Sequence, residues 1–208
     1  MKTNIVIPMK APNISKTRLR PFLSSIQRQR LALKMFESTL LFFSQHFPNY
    51  HVLVVTSSAI ILRIAQKHGA TVLVEHLPGL NQAATSGAVW SINHGFDSQL
   101  LIPADIARLD VDEMKTLLSA KRALPSVLLA PAEDRGTNAL LTTPPGAIEF
   151  SYGVNSSMAH EQAAVMQAID FQSLVLPHLA LDVDTPSDVE QLVATANPLI
   201  RELIPQWN

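Results

Sequence analysis

Cysteine is absent from this chain of 208 residues, which excludes disulfides, thiolate metal sites, iron–sulfur clusters and cysteine nucleophiles. That lack suits a reducing compartment, and a cytoplasmic address is the expectation. Charge is scarce as well. Asp, Glu, Lys and Arg make up 16% of the residues, below the roughly 25% usual in soluble domains, while hydrophobic residues reach 47%. Such a balance argues against both a disordered chain and a coiled coil. With 16 Lys plus Arg against 17 Asp plus Glu, there is no positive excess for non-specific nucleic-acid binding, and no nucleic-acid partner is expected. The seven glycines form neither GxGxxG nor a P-loop, so the common phosphate-cradling loops are missing. HEQAA around His160 lacks the second His of a zinc site, and GxSxG does not occur. The apolar start is broken by Pro8 and Lys10, too early for a secretion signal, and no run approaches the roughly 18 apolar residues of a membrane span. No membrane partner is expected.

What the chain does contain is alternation. Runs rich in Val, Ile and Leu at NIVIP, YHVLVVT, TVLVE, SQLLIPAD and SVLLAP read as buried strands. Between them, Ser24 or Ser25 can cap a helix with Leu33, Phe36, Leu40, Phe43 and Phe47 on one face. Further helices are expected near 58–68, 81–94, 111–122, 157–169 and 186–196, and the segment 125–150 suits an added strand pair. Strand–helix alternation implies right-handed crossovers and a mainly parallel sheet covered on both faces, in one domain spanning 1–208. In such a sheet the ligand crevice lies at the carboxyl ends of the strands, which selects Thr56, Asp105 and the residues after Ala130.

The candidate chemistry sits at those ends. Asp105 closes SQLLIPAD, and Asp182 and Asp184 stand two apart in LALDVDTPSD, so an extended backbone aims both at one side. Three converging carboxylates suit magnesium and phosphate chemistry; the plain alternative is that they are loop and cap residues. Thr185, Pro186 and Asp188 resemble a helix start, which makes Asp188 structural. Lys10, Lys16, Arg18 and Arg20 crowd the loop after the first strand, fit either for a triphosphate or for plain solvation. DRGTN and FSYGVNSSMAH offer backbone N–H groups and hydroxyls to a small anion if Ser156 or Ser157 starts a helix. His160, expected in the first turn of that helix, reads as a surface or packing residue. The tail NPLIRELIPQWN offers Leu199, Leu203, Ile204 and Trp207 either to a homodimer interface or to the chain's own core.

Taken in order, IPMK, SKTRL, GLN, LIPADI, GTNALL, FSYG, NSSMAH and DVDTPSD resemble the CofC/FbiD family, the guanylyltransferases of coenzyme F420 biosynthesis. The resemblance covers nearly the whole chain and implies a single α/β domain of nucleotidyltransferase type (GT-A-like), with a mainly parallel, mixed sheet flanked by helices. It implies transfer of GMP from GTP to 2-phospho-L-lactate, phosphoenolpyruvate or 3-phospho-D-glycerate, with magnesium as cofactor and pyrophosphate leaving. Carried over motif by motif, it makes Asp105, Asp182 and Asp184 the metal group. Lys10, Lys16 and Arg18 then meet the nucleotide phosphates, Asn81 lies near the nucleoside, and Thr137, Gly153 and Ser156 line the acceptor pocket. Asp105, Asp184, Lys16 and Arg18 are the residues it assigns to catalysis. Two departures stand out: Ala107 where the family usually has Pro, and a single Gly before Thr137 where it usually has two. Sugar-1-phosphate and molybdopterin nucleotidyltransferases usually carry a Gly-rich loop where this chain has APNIS, and a non-catalytic nucleotide-sensing module is the reading from another class.

Overall fold

Ile5, Val6 and Ile7 are fully buried in the strand Thr3–Pro8 (β1), and their alternation explains the layering. Ile5 and Ile7 enter one hydrophobic core with Phe36, Phe43 and Val54, whereas Val6 enters a second with Leu53, Val55 and Ala84. A strand apolar on both faces must be covered on both faces. The computed structural model describes residues 1–120 and 122–194. In chain order they form β1, the helix Ser25–His46 (α1), His51–Thr56 (β2), Ala59–Lys67 (α2), Thr71–Val74 (β3), Leu80–Asn93 (α3) and Ser98–Leu101 (β4). Val111–Ser119 (α4), Ser126–Pro131 (β5), Thr137–Thr143 (β6), Ser156–Met166 (α5), Asp170–Ser173 (β7) and Pro186–Ala194 (α6) follow. The sheet order is β3-β2-β1-β4-β6-β5-β7, and within it β6 alone runs against the other strands.

The expected α/β architecture and the added strand pair, β5 with β6, are both present. Ser24 caps α1 through a box with Gln27, and Leu31, Met35, Phe36, Leu40 and Phe43 line the buried face of that helix. Phe36 and Phe43 are wholly buried, and each contributes about 1.5–3 kcal/mol by leaving water. Phe47, expected on the helix, is its C-cap. On the other side, α3 comes so close to β1 that a Cβ on Gly87 would lie 2.8 Å from the Val6 side chain. Gly87 therefore weakens the helix but permits the contact.

Several boundaries differ from the sequence expectation. β4 ends at Leu101, and Pro103 to Asp105 leave the sheet as a loop, since proline cannot extend the ladder. α4 stops at Ser119 and α5 at Met166. β7 was not anticipated: DFQS has no apolar run, and it holds as a short edge strand through parallel pairing with β5. Leu199, Leu203, Ile204 and Trp207 lie outside the described residues, as does the end of the helix expected to reach 196. Among the described residues no helix is long and apolar enough to cross a membrane.

Candidate active site

A cavity of about 450 Å³ opens at the carboxyl ends of β1 to β4. Met9 and Lys10 after β1, Val55 of β2, Glu75 after β3 and Asp105 after β4 line it, together with Lys16 and Asp184. One edge of the sheet thus gathers residues far apart in sequence, as the crevice rule expects. Thr56 is near this edge but buried; its hydroxyl accepts from Ser58 N (3.1 Å) and its carbonyl accepts from Glu75 N (3.0 Å). It positions Glu75 rather than facing the cavity.

Lys16 is the hub. Its ammonium donates to Asp105 Oδ2 at 2.6 Å and to Asp184 Oδ1 at 3.0 Å, while the Arg18 guanidinium stands 3.7 Å from Asp184 Oδ2. The residue is 6% exposed and adopts a left-handed backbone (φ 54°, ψ 39°), a strained conformation for a side-chain-bearing residue. Burial alone would push the ammonium down, but the two carboxylates outweigh it and hold its pKa above the ordinary lysine value. For Asp184, burial favours the neutral acid, yet Lys16, then Arg18 and Lys10, hold it below the usual carboxylate range.

Asp182 stands one step aside. Its backbone bridges Ile106, and its Oδ1 accepts from Asn138 Nδ2 at 3.3 Å. Burial, with the charge of Asp105 next, raises its pKa to about 6. The flanking hydrogen bonds, Val183 N to Asp105 O (3.0 Å) and Ala107 N to Leu181 O (2.9 Å), clamp the two acidic segments together. Here the departure at Ala107 matters, because proline would have no N–H for the second bond. Ala107 and Val183 belong to a small hydrophobic cluster with Leu19, Leu23, Leu31, Met35 and Val189, so the cationic loop and both acidic segments rest on one apolar base. Asp188 is structural as expected: its Oδ2 accepts from the N–H groups of Asp184 (2.8 Å) and Thr185 (2.6 Å).

Among the described residues no group of three or more His, Cys, Asp or Glu is gathered closely enough to cage a metal. Asp105 and Asp184 nevertheless converge on a single cation, the Lys16 ammonium, which occupies the place between them. Two carboxylates beside a cavity of about 450 Å³ fit magnesium, which completes its shell with water and substrate phosphates.

The other predicted residues form a second cluster. Because β6 is antiparallel, Thr137 at its start lies at the same sheet edge, but Thr137, Gly153 and Ser156 are not part of the cavity wall. Thr137 Oγ1 accepts from Ser156 Oγ at 3.0 Å and lies 3.1 Å from His160 Nδ1. The Ser156 N–H, expected to face a ligand, is directed at Gly153 O (3.2 Å). Gly153 has φ +150°, which favours glycine, and a Cβ there would meet nothing within 4 Å. Asn81, expected near the nucleoside, directs its amide to the backbone of Tyr152, accepting from its N–H (2.6 Å) and donating to its carbonyl (3.3 Å). It ties α3 to the Gly153 loop. His160 is neither on the surface nor in the first turn: it is fully buried and hydrogen-bonded.

Glu75 and Asn138 were missed by sequence reasoning. Glu75 is the first residue past β3, a position the carboxyl-end rule could have flagged. Asn138 lies inside the quoted GTN segment, but its partner Asp182 is 44 residues away.

The family model described as "Guanylyl transferase CofC like" matches residues 3–198. A 3-phospho-D-glycerate guanylyltransferase of Colwellia psychrerythraea is 58% identical over 98% of this chain and 97% of its own length. A phosphoenolpyruvate guanylyltransferase of Rubrobacter xylanophilus is 32% identical over 94% of this chain and 95% of its own. Among solved structures, a cytidylyltransferase of Leptospira borgpetersenii superposes with a TM-score of 0.65 at 15% identity, covering 99% of this chain and 93% of that one. At that identity the likeness shows the fold, a nucleotidyltransferase-like one.

Proposed function

The chain belongs to the CofC-like guanylyl transferase family, and from that membership we propose that its acceptor is 3-phospho-D-glycerate or a closely similar phosphocarboxylic acid. The protein is a guanylyltransferase; GMP passes from GTP to the acid's phosphate and pyrophosphate leaves. The guanosine diphospho-acid so formed serves coenzyme F420 assembly, and the reaction is cytoplasmic. The observation that carries the reading is the Lys16–Asp105–Asp184 cluster on the wall of the cavity.

The chemistry asks little of a base. An acceptor phosphate has its second pKa near ~6 and is largely ionised at neutral pH, so its oxygen attacks the α-phosphorus without a proton being removed first. Positioning and charge neutralisation remain as the work of the protein. Lys10 and Lys16 line the cavity and the exposed Arg18 stands 3.7 Å from Asp184, so the three together meet the triphosphate. Asp105 and Asp184 would hold magnesium, with Asp182 behind them; when bound, the ion offsets charge on the phosphate oxygens. Toward β3, the Glu75 carboxylate has no hydrogen-bond partner among the described residues, and burial raises its pKa. A carboxylate accepts at once from N1–H and the 2-amino group of guanine, a pair of adjacent donors the other bases lack on that edge.

Incubating the protein with GTP, magnesium and each of the three acids in turn, with pyrophosphate release and product mass as readouts, tests this directly. The expected result is the guanosine diphospho derivative of 3-phospho-D-glycerate, formed faster than that of phosphoenolpyruvate or 2-phospho-L-lactate. Pyrophosphate release with none of the acids would overturn the reading.

A further inference from the structure

His160 is fully buried, and neither the family match nor the mechanism gives it a task. Its surroundings fix its protonation. The backbone N–H of Ser151 donates to Nε2 at 3.0 Å, and a backbone amide can only donate, so Nε2 carries no hydrogen. The proton of the neutral ring is therefore on Nδ1, which lies 3.1 Å from Thr137 Oγ1 and donates to it. Ser156 Oγ donates to the same oxygen at 3.0 Å. A hydroxyl oxygen has two lone pairs, and both are now filled from inside the protein. The hydrogen of Thr137 then meets no acceptor among the described residues and is free for donation to a ligand.

We propose that His160 is a positioning residue for the acceptor: together with Ser156 it fixes the Thr137 hydroxyl as an obligate donor to the anionic group of the phosphoacid. The inference rests on the reading of Thr137, Gly153 and Ser156 as the acceptor side. Its physical logic is that a freely rotating hydroxyl would divide itself between donating and accepting, whereas this one is held in the sense that an anion needs. The neutrality of the ring is part of the device. An imidazolium would point Nε2–H at the Ser151 N–H, donor against donor. Burial opposes that state and lowers the His160 pKa to about 4, and the edge of Tyr152 closes the ring's surroundings at 4.9 Å between centroids.

The test uses the full chain carrying His160→Asn, His160→Gln or His160→Leu, assayed with GTP and 3-phospho-D-glycerate. The amide nitrogen of asparagine falls near the place of Nδ1, so H160N keeps the donor to Thr137; glutamine reaches the Nε2 position and leucine offers nothing. H160Q and H160L are expected to raise the KM for the acid about tenfold with the KM for GTP unchanged, the scale of one hydrogen bond to a charged group. H160N should recover most of that loss even where its Tm matches that of H160Q. A merely structural role predicts instead that acid KM follows Tm across the three variants, and that result would overturn the proposal. Combining variants separates this inference from the reading beneath it. If Thr137→Ala raises the acid KM and adding H160L raises it no further, His160 acts through Thr137. Impairment by T137A with none by H160L refutes the positioning role alone, and an acid KM unmoved by T137A refutes the placement of the acceptor side and the inference with it.

Discussion

The carboxyl edge of the sheet has two halves built by opposite means, only the first of which lines the cavity. Beside β1 and β4, Lys16, Asp105 and Asp184 are charged groups held by one another, over an apolar base drawn from the loop, α1, α6 and both acidic segments. Beside β6 and α5, Thr137, Ser156 and His160 are neutral, and a chain of hydrogen bonds fixes which of them donates. On the proposed reading the charged half would handle a substrate whose charge moves during the reaction, where the strength of the field decides the rate. The neutral half would hold a small acid that must be oriented, where the direction of single donors decides recognition. Asn138 joins the halves: it follows Thr137 in β6, and its amide reaches Asp182.

If this division is right, the largest effects come from removing charge in the first half. Asp105→Asn and Asp184→Asn should each lower kcat on the order of 100-fold or more while leaving far-UV circular dichroism unchanged, and chelation of magnesium should do the same to the unmodified protein. Normal turnover in either variant removes that residue from the charged half. Next in size, Thr137→Ala should raise the KM for the acid about tenfold with GTP use preserved, the reverse of what the aspartate variants do. Gly153→Val should act in the same direction, through its φ of +150°, which disfavours a β-branched residue, rather than through a clash, since a Cβ there meets nothing.

The halves also differ in how legible they are in the sequence. The charged one follows from local pattern: Asp105 is selected by the carboxyl-end rule, Asp182 and Asp184 by their spacing, and Lys10, Lys16 and Arg18 by the crowding of cations after the first strand. The alternating burial of β1 and the cap at Ser24 were readable for the same reason, being local and periodic. The neutral half was readable only as composition, DRGTN and FSYGVNSSMAH offering N–H groups and hydroxyls to a small anion, and its role as the acceptor side came through resemblance. Its defining contacts join Thr137 to Ser156 and His160 to Ser151, and no pattern in the sequence states which nitrogen of a histidine will carry the proton. β7 escaped because edge pairing, rather than its own composition, makes it a strand.

A smaller effect concerns the base. Glu75→Gln keeps the shape but offers a donor where two guanine donors arrive, so the preference for GTP over ATP should narrow about tenfold, read as the ratio of kcat/KM values. An unchanged ratio would show that the base is read elsewhere.

Acid tests the halves without touching activity at neutral pH. Burial lowers the His160 pKa from 6.5 to about 4, so between those values the unfolded chain takes up the proton first and stability falls as pH falls. Asp182 works against this: its pKa rises from 3.8 to about 6, so in an overlapping window the folded state binds more protons and gains stability on acidification. Asp184, held below 3.8, loses stability only at lower pH still. The unmodified protein should therefore show a shallow slope between pH 6 and 4, whereas H160N, keeping the Asp182 contribution alone, should become relatively more stable as the pH drops across that range. Denaturant melts of both proteins at several pH values read the difference, and parallel profiles would show that the buried ring carries no such penalty.

The smallest effect separates the two cations of the charged half. Arg18 has a side chain 67% exposed and stands 3.7 Å from Asp184, whereas the Lys16 side chain is 4% exposed and touches both carboxylates. An exposed pair contributes little, about 0–1 kcal/mol, because water and salt screen it. Arg18→Ala should then leave stability unchanged and raise the KM for GTP only about threefold, an effect that fades as ionic strength rises. Lys16→Ala should be different in kind, leaving Asp105 and Asp184 facing each other without their shared cation, and its loss of turnover should persist in high salt. Measuring the KM for GTP of both variants at low and high salt distinguishes them. Equal salt sensitivity would show that Lys16 is no more than another surface charge, and the contrast between a screened mouth and a protected centre would fail.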